Sequence, residues 1–184
     1  HGGGGGDSLF YILTSEEMGR SSCGPIVGPL FQSDGLSDLI IEFGTEDQKQ
    51  TWYPRFMAAE VPPFPVSEPQ SGCAVRAFRT TAVRDGDDYV INGQKLWITF
   101  ATHADFFFIL AKTAPGNSAH MSFFVVDAKT PGIEPRRLKT RIYPCGDTCE
   151  VFLTDVRVPA SALVGGVPGQ ALAMTKKLLG LDRI

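Results

Sequence analysis

The stretch Asp88-Tyr89-Val90-Ile91-Asn92-Gly93-Gln94-Lys95-Leu96-Trp97-Ile98-Thr99 decides how the chain reads. Two runs with β-branched and aromatic residues, Tyr89 to Ile91 and Gln94 to Thr99, flank Asn92-Gly93. An Asn-Gly pair tolerates the positive φ that a tight hairpin turn requires, so the spacing predicts two strands joined there. Alternation along the second strand puts Trp97 and Thr99 on one face.

Outward from this point the same signals recur. Asp85-Gly86 predicts another turn, and strands are expected over Arg76 to Arg84, Phe106 to Thr113, Ser122 to Asp127 and Glu150 to Val158. Their regular spacing argues for an antiparallel sandwich or barrel and against βαβ units. Upstream, Val61-Pro62-Pro63 ends any helix, because proline forces its neighbours into extended backbone. Before that break, Leu9, Ile12, Leu13 and Met18 follow a helical period over Ser8 to Arg20. A second helix is expected from about Ile26 to Phe43, stopped by Gly44. Thr45 and Gln48 make a capping box that opens a third, running through Trp52 and Phe56 to about Ala59, with Pro54 a potential kink. The Gly2 to Gly6 run is a loop or linker, and Gln170 to Leu181 returns to helical periodicity.

The fold class is therefore α+β: a helical N-terminal segment, an antiparallel β-sandwich or barrel, and the start of a C-terminal helix. The expected domains are 1–61, 62–165 and 166–184.

Composition narrows the function. With 43% hydrophobic and 20% charged residues among 184, the chain can bury a core. Seventeen basic against twenty acidic side chains leave a net charge of -3, which offers a nucleic acid no positive field. The run from Phe106 to Ala111 falls far short of the roughly 18 apolar residues needed to span a bilayer. The chain begins at His1 without a basic-then-apolar leader, so the natural start is expected upstream. Cysteines 23, 73, 145 and 149 form no disulfide framework and read as reduced thiols of an intracellular protein.

Chemical motifs are few. Cys145 and Cys149, with His103 and His120 elsewhere, lack the second close pair that a structural zinc site needs, and no metal is expected. Neither Cys23 nor Cys73 lies in a signature of nucleophilic catalysis. No glycine cluster forms a P-loop or a dinucleotide fingerprint.

Val66-Ser67-Glu68-Pro69-Gln70-Ser71-Gly72 together with Asp88 to Thr99 resembles the acyl-CoA dehydrogenase family. Phe43-Gly44-Thr45-Glu46-Asp47-Gln48-Lys49-Gln50 with Pro54-Arg55, then Thr130-Pro131-Gly132-Ile133, Thr148-Cys149-Glu150-Val151-Phe152 and Asp155-Val156-Arg157-Val158-Pro159, extend the resemblance in order over nearly the whole chain. It implies a helical N-terminal domain, a flavin-binding middle β-domain and a C-terminal bundle, of which the chain holds part of the first and all of the second.

It further implies FAD as cofactor and α,β-dehydrogenation of an acyl-CoA thioester. Electron-transfer flavoprotein is the implied acceptor, and a homotetramer or other homo-oligomer the implied assembly. The implied location is the cytoplasm in a bacterium or the mitochondrial matrix in a eukaryote. Val66, Ser67, Cys73, Trp97, Ile98 and Thr99 would face the cofactor. Ser67 would meet the pyrimidine end, Trp97 the ring system, and the Thr99 hydroxyl flavin N5. The family's catalytic carboxylate lies in the C-terminal bundle, so none of these 184 residues inherits it, and the chain alone is expected to be inactive.

Glu68 reads as structural. Cys73-Ala74 replaces a usual Ser-Asp, Phe100 a small or polar residue and Pro65 a small one, which leaves open a non-catalytic scaffold member or a flavin-dependent oxygenase or oxidase relative.

Overall fold

The computed structural model describes residues 5–20, 35–114, 120–140 and 147–181. Six strands form one sheet: β1 (Thr81–Asp85), β2 (Asp88–Thr99), β3 (Phe106–Lys112), β4 (Met121–Asp127), β5 (Ile133–Arg137) and β6 (Thr148–Pro159). Their order is β4-β3-β1-β2-β6-β5. Neighbours run antiparallel except β1 and β3, which meet in parallel at Thr81 and Lys112. Asp85 and Asp88 close the β1–β2 hairpin, with Gly86 at φ +62 where a side chain would be strained.

The helices are α1 (Ser8–Arg20), α2 (residues 35–43), α3 (Glu46–Met57) and α4 (Ala171–Leu181). The expected start of the second helix lies outside the described residues. The capping box at Thr45 and Gln48 forms in both directions, and α3 continues through Pro54. Leu9, Phe10, Tyr11, Ile12 and Leu13 leave α1 an exposed apolar surface.

Strands β3 and β4 are buried on both faces, because they separate two cores. Phe107, Ile109, Ala111, Phe124 and Val126 face β2 and β6 through Ile91, Ile98, Val151 and Val156. Phe106, Phe108, Leu110, Phe123 and Val125 face the helices, meeting Leu36, Leu39, Ile40, Phe56, Ala171 and Met174. Each of the larger side chains among these (Val, Leu, Ile, Met and Phe) contributes about 1.5–3 kcal/mol by leaving water. A near-continuous apolar run such as Phe106 to Ala111 is thereby explained: a strand covered on both sides has no polar face. The helices and the sheet share a core rather than stacking as independent units.

Gln48 fastens the two together. Its side chain is buried, donates to the carbonyls of Ser161 and Leu163 at 2.7 Å each, and accepts from the amides of Thr45 and Gly165.

Three sequence expectations are corrected. Asn92-Gly93 is not a hairpin turn but lies inside the continuous strand β2. Opposite it, β6 carries a bulge, and Asn92 Oδ1 accepts the amide of Asp155 at 2.8 Å. Gly93 serves a close approach: a Cβ there would stand 2.8 Å from Thr80 Cα. Second, residues 75–77 form a 3-10 turn, so β1 begins at Thr81 instead of Arg76. Third, β5 was not expected. Its sequence Ile-Glu-Pro-Arg-Arg has little apolar alternation, and Pro135 is tolerated because the strand is at the sheet edge.

Candidate functional site: a bulged strand and the loop pinned to it

Along β2, Lys95 and Ile98 are both buried although they stand three positions apart, an odd offset that strand alternation would put on opposite faces. Pairing with β6 explains this, since Lys95 opposes Val151 and Ile98 opposes Cys149, so Leu96-Trp97 together oppose Glu150. The extra residue is a β-bulge, a device that re-aims side chains beside functional sites. Trp97 takes φ +64, uncommon for a bulky residue, and its indole is 61% exposed. Ile98 turns into the core shared with Phe107, Ile109 and Val151, leaving only its main chain for any ligand. Thr99, half-buried, follows on the side away from that core. A second left-handed residue, Phe100 at φ +60, then ends the strand.

The turn after Thr99 is anchored by Asp147. Its carbonyl accepts the Phe100 amide at 2.8 Å, and its carboxylate accepts the Thr102 amide at 3.0 Å as well as the Thr102 hydroxyl and the Cys149 thiol. Burial pushes the Asp147 carboxyl up, but these donors and the nearby His103 charge hold it below its ordinary value. Burial and the same carboxylate push the Cys149 thiol up to about 12, so it is no nucleophile.

The 66–71 loop lies against the bulge. Ser67 carbonyl accepts the amide of Leu96 at 2.9 Å, and Val66 carbonyl accepts from Lys95 Nζ at 3.2 Å. Ser67 is half-buried, and a Cβ at Gly72 would stand 3.9 Å from its hydroxyl. Val66 and Ser67 thus lie against Lys95 and Leu96, the residues that lead into Trp97, with Thr99 two residues further along the strand. Cys73 follows Gly72 and is exposed, and among the described residues no hydrogen bond joins its thiol to the bulge. A groove of about 600 Å³ between Glu68, Gln70, Arg79, Gly93 and Phe152 and another of about 650 Å³ between α3 and the ends of β4 and β6 are not lined by Trp97, whose indole faces solvent.

Sequence reasoning missed Lys95 and Asp147 as organising residues, and of Gln48 it read only the helix cap and not the bonds to Ser161, Leu163 and Gly165. Lys95 and Glu68 form an ion pair at 2.9 Å with side chains 0% and 1% exposed. Glu68 also accepts the amides of Arg79 at 2.5 Å and Thr80 at 3.1 Å and the Gln70 amide group at 2.6 Å, which fits its structural reading. The signal was present but weak: a lysine between apolar strand residues is buried only when paired, and sequence does not name the partner.

Among the described residues no group of three His, Cys, Asp or Glu side chains could hold a metal ion. Cys23 and Cys145 lie outside them. Nor is any described helix long and apolar enough to cross a membrane.

A helical layer backing a mostly antiparallel sheet, with an exposed indole on a bulged strand, defines a recognisable class of two-part α+β domain. Residues 1–60 match the family described as acyl-CoA dehydrogenase, N-terminal domain, and residues 64–156 match acyl-CoA dehydrogenase, middle domain. The chain belongs to the acyl-CoA dehydrogenase family. It is 34% identical, over 100% of its length and 45% of the relative's, to cyclohex-1-ene-1-carbonyl-CoA dehydrogenase of Syntrophus aciditrophicus. To the mitochondrial long-chain specific acyl-CoA dehydrogenase of Rattus norvegicus it is 36% identical, over 90% of its length and 39% of the relative's. The chain therefore spans less than half of either. Among solved structures, an acyl-CoA dehydrogenase described as putative from Mycobacterium smegmatis superposes with TM-score 0.89 at 35% identity, covering 99% of this chain and 48% of that one. A glutaryl-CoA dehydrogenase from the same species, in complex with FADH2, superposes with TM-score 0.71 at 32% identity, covering 80% of this chain and 37% of that one.

Proposed function

We propose that the chain is the flavin-facing portion of a FAD-dependent acyl-CoA dehydrogenase that, in its complete form, oxidises the α,β bond of an acyl-CoA thioester. The observation that carries this is Trp97: a 61% exposed indole, held at φ +64 by a bulge, beside a threonine hydroxyl. An exposed aromatic alone is ordinary, but one held in left-handed backbone is not, because such strain clusters at functional sites.

The donor set fits a flavin. The indole supplies a flat apolar wall for the isoalloxazine, the Thr99 hydroxyl and the main chain of Ile98 supply polar contacts beside it, and Ser67 with Val66 supplies those at the pyrimidine end. Cys73 takes the place of a serine hydroxyl and offers a weaker hydrogen bond. When bound, the cofactor accepts the substrate's β-hydride, while the protein's part is orientation and electrostatics. The proton at the α-carbon requires a carboxylate within hydrogen-bond reach, and the family's base belongs to the C-terminal bundle. Electron-transfer flavoprotein is the proposed electron acceptor, and a homo-oligomer the proposed assembly.

Titration of the full-length protein with FAD tests the reading. Quenching of flavin and tryptophan fluorescence, with a visible flavin spectrum after gel filtration, is the expected result. A colourless protein that FAD neither quenches nor stabilises sinks it. A cofactor-free scaffold is the second reading, favoured by Cys73, Ala74 and Phe100. The double substitution C73S/A74D separates the two: a large gain in FAD affinity supports the flavin site, and indifference to both residues in a flavin-free protein supports the scaffold.

A further inference from the structure

Lys95 is the most unusual polar residue described. Its ammonium is wholly removed from solvent, donates to Glu68 Oε1 and Val66 carbonyl, and sits 5.2 Å from the centre of the Phe78 ring. Such a charge is tolerated only with a partner and with its remaining hydrogen bonds made. A hydrophobic pair of similar volume serves stability as well or better, so stability alone does not account for it.

Its location suggests what does. Lys95 immediately precedes the Leu96-Trp97 bulge, and Glu68 immediately follows Ser67. The pair therefore spans the two backbone segments that carry the proposed ring contacts, in parallel with the Ser67 carbonyl to Leu96 amide bond. From the other side, the amides of Arg79 and Thr80 hold the same carboxylate. Three separate segments, 66–68, 79–80 and 95–96, thus converge on one buried charge pair. An apolar substitute could fill the space but would fix no direction, because dispersion contacts lack the angular demand of charge-assisted hydrogen bonds.

We propose that Lys95 and Glu68 are positioning residues: their buried contact sets the placement of the Ser67 loop against the Trp97 bulge, and the flavin-facing surface is assembled only while both are in place. This rests on the flavin reading of the site. Neither side chain is a catalytic residue, since both are sealed from the surface and act through Ser67, Leu96 and Trp97.

The test uses the full-length protein with K95M, E68Q and the double variant K95M/E68Q. FAD affinity is followed by fluorescence, and amide hydrogen exchange is measured on the flavin-free protein. Each single variant is expected to weaken FAD binding by at least about tenfold. Exchange should rise over 66–72 and 94–99, while 106–112 and 121–127 keep their protection. In the double variant no uncompensated charge remains, so global stability should recover relative to the singles while FAD affinity does not. That split separates positioning from mere stability and stands even where a single variant fails to fold. A double variant that binds FAD as tightly as the wild type overturns the proposal and leaves the flavin reading intact. If the wild type itself binds no FAD, the flavin reading falls and the proposed role at that site falls with it. Unchanged exchange over 66–72 in the variants overturns the positioning role in either case.

Discussion

The carbonyl of Ser67 accepts the amide N–H of Leu96 at 2.9 Å, which fastens a loop residue to the Leu96-Trp97 bulge although the two stand 29 positions apart in the chain. The two halves of the proposed site therefore meet through main-chain geometry. Side chains then differentiate it: an indole outward, an isoleucine inward, and a buried ion pair beneath.

Strain at Trp97 makes a differential prediction. W97A keeps the left-handed backbone and removes the indole, whereas W97G removes both the indole and the steric penalty. Urea denaturation should find W97G more stable than W97A by about 1 kcal/mol, the low end of the cost of left-handed backbone for a residue with a Cβ. Both should lose FAD affinity alike. Equal stability of the two would show that the bulge is not strained at this position.

Glu68 gives the acid limb of the stability profile. Burial pushes its carboxyl up, but the Lys95 ammonium and the donated hydrogen bonds outweigh this and hold it below the ordinary 4.5. A carboxyl with a depressed folded value adds stability that is present above the unfolded value and is lost as the pH falls through the folded one. Thermal melts from pH 6 down to pH 3 should therefore decline more steeply for the wild type than for E68Q. At neutral pH E68Q should be the less stable by about 3–5 kcal/mol, because it strands the Lys95 charge.

Lys95 acts with the same sign, but at high pH. Burial pushes its ammonium down to about 8 against the attraction of Glu68, from an ordinary 10.5. Glu68 is the charged group facing it, with the Val66 carbonyl and the Phe78 ring completing its surroundings. Between about pH 8 and 10.5 the unfolded chain holds a proton that the folded chain has released, so this group alone adds stability as the pH rises. That contribution should be absent from K95M in melts over the same range.

Gln48 should be among the costlier single losses outside the site. Q48A removes its bonds to Ser161, Leu163, Thr45 and Gly165; the Leu163 carbonyl still accepts the Gly166 amide, but the amides of Thr45 and Gly165 lose their side-chain acceptor. A loss of about 2–4 kcal/mol in urea denaturation is expected from the cost of unsatisfied buried groups. A loss below 1 kcal/mol would mean that water replaces the amide.

The two described cysteines should differ in reactivity. Cys73 is exposed, while Cys149 is buried with its thiol raised to about 12. Mass spectrometry after brief alkylation should find Cys73 modified in the native protein and Cys149 modified only after denaturation.

How much of this was legible beforehand depends on the range of each interaction. Helix α3 and its cap could be read because Thr45 and Gln48 satisfy each other within one turn. The β1–β2 hairpin was readable for the same reason, since Asp85-Gly86 needs only its own backbone. Asn92-Gly93 carries an equally strong local signal and misled, because its partner is Asp155, 63 residues away on β6. Strand β5 went unseen because an edge strand has one neighbour and little alternation to display.

Local chemistry in the chain determined the helix cap, the strand-rich middle segment and the motifs that place it in its family, since these depend on neighbouring residues and their conformational preferences. Only tertiary structure decided that Lys95 would be buried against Glu68, that Trp97 would be turned outward by a bulge, and that one face of β3 and β4 would be covered by helices. Those outcomes depend on strand register and on desolvation by distant residues, neither of which has a signature in the amino acids that undergo it.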